Sequence, residues 1–391
     1  MANNRALWMA GLAVLLTQAT FGALQPTVLP VTYAQYGSSV AVGPQNTLVV
    51  WVDYRRTMDL THETFGTRVG PLGETLDGDG IPLTGNCDGR AGVAALGGKF
   101  LIVWSKGPNI YARRMTSAGE LLDAQPIVVT ANPGHPYPEL VLREFSVAAD
   151  GVNFWVAWCD DRSMPAGTPE YQRYDYQDIY AARISPAGRV LDARGIPICT
   201  RHANQTSPKL SPRADFIVWV DQRPTKQSIF GARLHPKGFA LDAQGFPIMS
   251  STNQYSSVPD VSGNGRGWLV VWGEPTAIYG AQVNRTRTVS RPFQIAPATQ
   301  LTPPQVETAG QDCLVLWQSG ASILGTHVAT PKQAGRIVPI ATDDSGAAYF
   351  SLGGFGGNGT RFFVTGATAP TNGSWFDNDV WFGQFSPGML P

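Results

Sequence analysis

Three apolar runs of the chain end in Asp-x-Arg: Asp53 with Arg55, Asp160 with Arg162, and Asp221 with Arg223. A carboxylate two residues from a guanidinium suits either a catalytic pair or an Asx-turn closed by an ion pair. Its recurrence directly after Trp51, Trp158 and Trp219 favours the turn. The four Leu-Asp steps, at Asp77, Asp123, Asp192 and Asp242, read the same way, as aspartates serving backbone N–H groups before a turn. Asp77-Gly78-Asp79-Gly80 hints at calcium, but one such tetrapeptide is a turn before it is an ion site. The five histidines, His62, His135, His202, His235 and His327, are scattered. No Gly-x-Ser-x-Gly elbow, His-Glu-x-x-His helix or phosphate-binding glycine loop is present, so no catalytic residue, metal site or cofactor is assigned.

Binding chemistry is denser in two segments that follow these apolar runs. Tyr54 to Glu63 carries Arg55, Arg56 and His62, and Ser163 to Gln177 carries Tyr171, Arg173, Tyr174, Asp175 and Tyr176. Flat amphipathic rings beside charged donors suit the faces of sugars or a protein partner. Tyrosines that pin a long loop to its support fit the same residues.

These segments need a scaffold, and the chain supplies it by repetition. Gln177 to Thr200 reads as a strand (Asp178 to Ile184), a turn (Ser185-Pro186-Ala187-Gly188) and a second strand whose Pro197 confines it to a sheet edge. Copies recur after each of six apolar runs that end in Trp51, Trp104, Trp158, Trp219, Trp272 and Trp317, and a seventh run, Phe362 to Thr365, has lost its tryptophan. Subtracting successive positions gives spacings of 53, 54, 61, 53, 45 and 48 residues, the length of a four-stranded propeller blade. A short Val-containing segment precedes each run. Each unit is therefore four strands from inside to outside: Val segment, Trp strand, Tyr-Gly-Ala-Arg strand and Ile-Pro-Ile strand.

The last unit halts after its third strand at Val380 to Phe385, and Val28-Leu29-Pro30-Val31-Thr32 supplies the missing outer strand. The expected fold is an all-β, seven-bladed β-propeller of four-stranded antiparallel blades, closed by that N-terminal strand and spanning residues 24–391. Each blade is covered by a neighbour on both faces, which accounts for Trp strands that are apolar throughout and places the tryptophans in the core. In such a ring the second-to-third loops open on the same face as the blade-to-blade connections, which puts His62, His135 and His202 there, each separated by whole blades.

Composition agrees. The chain holds 43 Gly, 30 Pro and 11 Trp, and its 29 basic residues balance 29 acidic ones, so no global field directs it to nucleic acid or an anionic membrane. Met1 to about Ala23, with Arg5, an apolar run from Ala6 to Leu16 and small residues at Ala19, Gly22 and Ala23, reads as a secretory signal peptide without a lipid-anchoring cysteine. Export permits disulfides among Cys87, Cys159, Cys199 and Cys313, yet a strand separates Cys159 from Cys199 and Cys313 lies in a Trp strand. None is expected to be essential. Asn204, Asn284, Asn358 and Asn372 open Asn-x-Ser/Thr sequons.

The pattern Val-Val-Trp-x-Asp-x-Arg, then Ile-Tyr-Gly-Ala-Arg-Val, then Gly-x-x-Leu-Asp-x-x-Gly-Ile-Pro-Ile resembles the repeats of secreted proteins of myxobacteria and related bacteria, largely uncharacterised. The resemblance covers the mature chain, is clearest around Trp51, Trp158 and Trp219, and fades where Val289-Ser290-Arg291 and Gly335-Arg336 replace the Leu-Asp turn. It implies a propeller and export and supplies no reaction. The Ser-x-Asp-x-Gly-x-Thr-Trp box of sialidases is absent, as is the Gly-His and Trp-Asp signature of intracellular propellers. Two functions follow: a monomeric exported module that binds a polysaccharide or a cell-surface protein through one face of the ring, or a secreted hydrolase or lyase working at the central opening. A convergent carboxylate pair, or His with Tyr, at the mouth would favour the enzyme, and an aromatic rim without one the binding module.

Overall fold

A strand that must be buried on both faces cannot alternate apolar with polar residues. Three second strands obey this throughout: Thr47–Asp53, Phe154–Asp160 and Phe216–Asp221 are buried at every position. Their alternate side chains serve opposite neighbours. Val49 and Trp51 pack with Phe363, Val380 and Phe382 of the last blade, while Leu48 and Val50 pack with Val93, Phe100 and Ile102 of the next. Trp158 and Trp219 likewise face the preceding blade.

The computed structural model describes residues 27–29, 35–54, 62–131, 144–165, 167–169, 176–223, 227–250, 257–298, 301–329, 333–342, 349–358, 361–369 and 379–385. They form seven antiparallel sheets arranged as a β-propeller, with no α-helix among them. Blade 1 runs Gln35–Val42, Thr47–Asp53, Glu63–Val69 and Ile81–Pro82 from the axis outward. Blade 3 runs Phe145–Ala149, Phe154–Asp160, Asp178–Ile184 and Ile196–Cys199, and blade 4 runs Gln205–Leu210, Phe216–Asp221, Ser228–His235 and Phe246–Ser250. The first strands of blades 2, 5, 6 and 7 are Ala91–Leu96, Asp260–Gly263, Gln305–Ala309 and Phe355–Gly357. Thr27–Leu29 pairs antiparallel with Asp379–Phe385 and closes the ring as the outer strand of blade 7. Residues 1–26, where the signal peptide is expected, lie outside the described residues.

Blades 1, 3 and 4 share one recurring contact set. Pro82, Pro197 and Pro247 occupy the outer strand opposite Phe65, Tyr180 and Phe230, where a missing N–H costs no internal ladder bond. The glycine that opens this strand packs under the tryptophan of its own blade. Gly245 has φ +68°, and a Cβ there would lie 2.2 Å from the Trp219 ring, so only glycine fits.

Neighbouring blades are joined by a second set, in which the Leu-Asp aspartates have partners that the sequence did not point to. Asp192 accepts Arg183 Nε and Nη2, both at 2.9 Å, and the Arg183 backbone N–H at 3.0 Å. Arg183 Nη1 then reaches the Pro236 carbonyl of blade 4 at 2.9 Å. Arg68–Asp77, Arg114–Asp123 and Arg233–Asp242 repeat the motif, reaching Ser117, Pro186 and Arg285. In the fifth blade Gln282 and Ser290 stand in for the pair, and only a backbone hydrogen bond remains.

Candidate functional site

The Asp-x-Arg residues are tied into the scaffold. Two positions apart on a strand place side chains on one face, and the indole Nε1 groups of Trp51, Trp158 and Trp219 donate to Asp53, Asp160 and Asp221 at 2.8 to 2.9 Å. Asp160 and Asp221 also close Asx-turns on the backbone N–H of Arg162 and Arg223 and pair with their guanidinium groups. Those guanidiniums lie over the Tyr180 and Phe230 rings at 4.3 and 4.2 Å. Arg55 lies outside the described residues. Trp104 is 3% exposed, and Trp51, Trp158, Trp219, Trp272 and Trp317 are at most 1% exposed, all of them core.

Of the loop residues singled out for binding, His62 and Tyr176 are described, and Arg56, Tyr171, Arg173, Tyr174 and His135 lie outside the described residues with Arg55. His62 is engaged at both ring nitrogens: Nε2 accepts the Tyr54 hydroxyl, and Nδ1 faces the Cys87 carbonyl at 3.2 Å. This pair therefore pins blade 1 to the connection into blade 2 and leaves no lone pair for a metal or a substrate proton. Tyr176 meets His202 edge-on at 5.8 Å between blades 3 and 4. The two histidines stand at different blade junctions and do not converge. All four cysteines are buried and none forms a disulfide; burial pushes the Cys199 and Cys313 thiols up to about 11 and about 12.

The ring axis carries a cavity of about 670 Å³ walled by the first strands. Most of the wall is small, as at Ser39, Ala41, Gly92, Ala94 and Ser146. Arg90, paired with Glu144 at 3.7 Å, marks one side. The other side carries Lys209, Asp260 and Glu307, from consecutive blades 4, 5 and 6. Lys209 and Asp260 sit at one level of the ring, opposite Val218 and Val271, each the residue before the blade's tryptophan. Asp260 Oδ2 accepts the Val306 N–H at 2.9 Å, which fixes the carboxylate against blade 6.

The bore exposes these side chains only partly and walls them with protein. Loss of bulk water raises the Asp260 carboxyl above its ordinary range, with Lys209 and the backbone N–H donors opposing. Burial raises Glu307 well above its range, and the Asp260 charge adds to the rise. Glu307 is therefore the member of the pair more disposed to hold a proton, while Lys209 offsets part of the rise at Asp260. Sequence reading missed all three. Their signal was a charge standing inside Val segments that are otherwise small or apolar.

A third feature lies at the base of the blade 3 loop. Asp178, 3% exposed, pairs across strands with Asp160. Burial pushes its carboxyl up to about 6; Asp160 and Asp161 push the same way, against the Ser163 hydroxyl and Arg162.

No protein-family model matches the chain, and no curated protein matches it. Among solved structures, the polysaccharide lyase Uly1 is similar at 11% identity and a TM-score of 0.56, over 90% of each chain. A protein from Lactobacillus plantarum is similar at 11% identity and a TM-score of 0.50, over 78% of this chain and 84% of that one. At such identities the likeness is one of fold.

Proposed function

We propose that this chain is an exported binding protein that receives a polysaccharide at the axial mouth of the propeller, on the face where the second-to-third loops open. The observation that carries the reading is the axial cavity, with small-residue walls and one polar arc of Lys209, Asp260 and Glu307. Small walls leave room for a sugar, and a cation beside two carboxyl groups offers both donors and acceptors to its hydroxyls. Export rests on the N-terminal apolar segment, and the loop tyrosines Tyr171, Tyr174 and Tyr176 would add stacking at the rim. The test is a glycan array and a pull-down from the extracellular fraction, using the mature chain, Lys209→Ala with Asp260→Ala, and the triple tyrosine-to-alanine variant. Glycan retention lost in the channel variant supports the reading. Retention unchanged by it removes the channel from the proposal, and retention of protein alone redirects the face to a surface protein.

One observation favours a second reading, a secreted hydrolase or lyase. Glu307 and Asp260 are neighbouring carboxyl groups on the bore wall, both raised by burial and Glu307 the more strongly, and a pair of carboxyl groups with unequal acidity is what general acid–base chemistry on a glycosidic bond uses. New reducing or unsaturated ends formed from a polysaccharide by the mature chain, and not by Glu307→Gln, would establish it.

A further inference from the structure

Three acceptor oxygens on adjoining segments of blades 3 and 4 are each buried with no hydrogen-bond partner: Asp178 Oδ2, Asn204 Oδ1 and Gln205 Oε1. Asp178 is 3% exposed and Gln205 is fully buried. Buried polar atoms are almost always partnered, so three on contiguous elements call for an explanation. The backbone brings them together: Gln205 N–H donates to the Gln177 carbonyl at 2.8 Å, which sets Gln205 beside Asp178. The Gln205 amide is also oriented, because its Nε2 donates to the Ala203 carbonyl at 2.8 Å and Oε1 must point away from that bond.

The same seat recurs once in the ring and acts as an internal control. Gln35 stands opposite Asp53 as Gln205 stands opposite Asp221. In that seat Asp379 holds the position of Asp178, and Gln35 Oε1 accepts the Val380 N–H at 3.0 Å. The two seats share their glutamine and aspartate, yet Gln35 Oε1 has a backbone donor and Gln205 Oε1 has none.

We infer that Asp178, Asn204 and Gln205 form a cage for a hard divalent cation of the calcium class, at the base of the blade 3 loop. Hard cations take carboxylate and amide oxygens together and need no donor in the site. A bulkier ligand is excluded because none of the three atoms has accessible surface. Asp161 and Asp178 stand at the two ends of the loop, and Asp161 is 4% exposed, so the site concentrates negative charge where the loop leaves and rejoins the sheet. Arg162 is engaged by Asp160.

The test is calorimetric titration of calcium chloride, and terbium luminescence excited through tyrosine and tryptophan, on the full mature chain stripped with EDTA. One saturable site per chain is expected. Asp178→Asn and Asn204→Ala should each weaken it by about tenfold or more, while Asp79→Asn, in the Asp-Gly-Asp-Gly turn, leaves it unchanged. Absence of saturable binding at millimolar calcium overturns the inference, as does binding unaltered in both cage variants. Circular dichroism checks folding; should Asp178→Asn not fold, Asn204→Ala, at a half-buried position, decides alone.

Discussion

Replacing Asp178 with asparagine should stabilise the metal-free protein at neutral pH, although it removes a buried carboxylate from the sheet. The folded protein holds this carboxyl proton up to about 6, against an ordinary value of 3.8. Below the unfolded value both states carry the proton and the group costs nothing. As pH rises from there through about 6, the native state must give up a proton it holds more tightly than the unfolded chain, and stability falls. Above about 6 the full penalty stands, about 3 kcal/mol at about 1.4 kcal/mol per pH unit. With an unfolding entropy of about 2.1 cal/mol/K per residue, a ring of this size converts that into about 4 °C of Tm. The assay is thermal unfolding of wild type and Asp178→Asn in EDTA from pH 4 to 8. The variant should melt about 4 °C higher at pH 7.5 and lose that advantage near pH 4. Millimolar calcium should reverse the order by stabilising only the wild type. A variant that melts lower than wild type at pH 7.5 in EDTA, or a difference that does not change with pH, would refute the reasoning.

Asp192→Ala should cost about 2–4 kcal/mol, because it removes a bidentate charge-assisted pair and leaves the Arg183 N–H without its acceptor; a double-mutant cycle with Arg183→Ala in urea unfolding should return a coupling of about 1–3 kcal/mol. Gly245→Ala should cost about 2–5 kcal/mol, the sum of a left-handed backbone with a Cβ and a clash with the Trp219 ring, read as a lower urea midpoint. A chain lacking residues up to Leu29 loses the strand that completes blade 7, and its thermal transition should broaden and separate by probe as that blade opens first.

The blade architecture was legible because the ring imposes the same burial on each copy. A strand covered on both faces must be apolar throughout, and a strand at a sheet edge tolerates proline, so Trp219 and Pro247 announced their places without a structure. The partners of the Leu-Asp aspartates were not legible for a physical reason. Asp192 bonds an arginine nine residues earlier, whose remaining N–H reaches the next blade, and no local period links those three points. The histidines misled in the opposite sense: His62 read as binding chemistry, but both its ring nitrogens are engaged by Tyr54 and Cys87. The channel charges stayed hidden because Lys209, Asp260 and Glu307 come from three different units, and only ring closure makes them neighbours.

In a repeat fold each blade also serves as the control for the others, and that changes which residues count as functional candidates. Trp51, Asp53, Trp158 and Asp160 recur with the same hydrogen bond, and recurrence of a contact is what scaffolding looks like. A departure at one seat needs its own cause. Lys209, Asp260 and Glu307 stand where blades 1, 2, 3 and 7 place serine, glycine or alanine, and Gln205 Oε1 lacks a donor where Gln35 Oε1 takes the Val380 N–H. Each departure carries an electrostatic cost, since burying a charge or an unpartnered oxygen opposes folding. A scaffold gains nothing from such a cost, because the small residue or the partnered glutamine in the equivalent seat closes the ring equally well. The departures cluster on blades 3 to 6 around one arc of the axis and one loop base, and that is the sector where mutagenesis should change binding before it changes the fold.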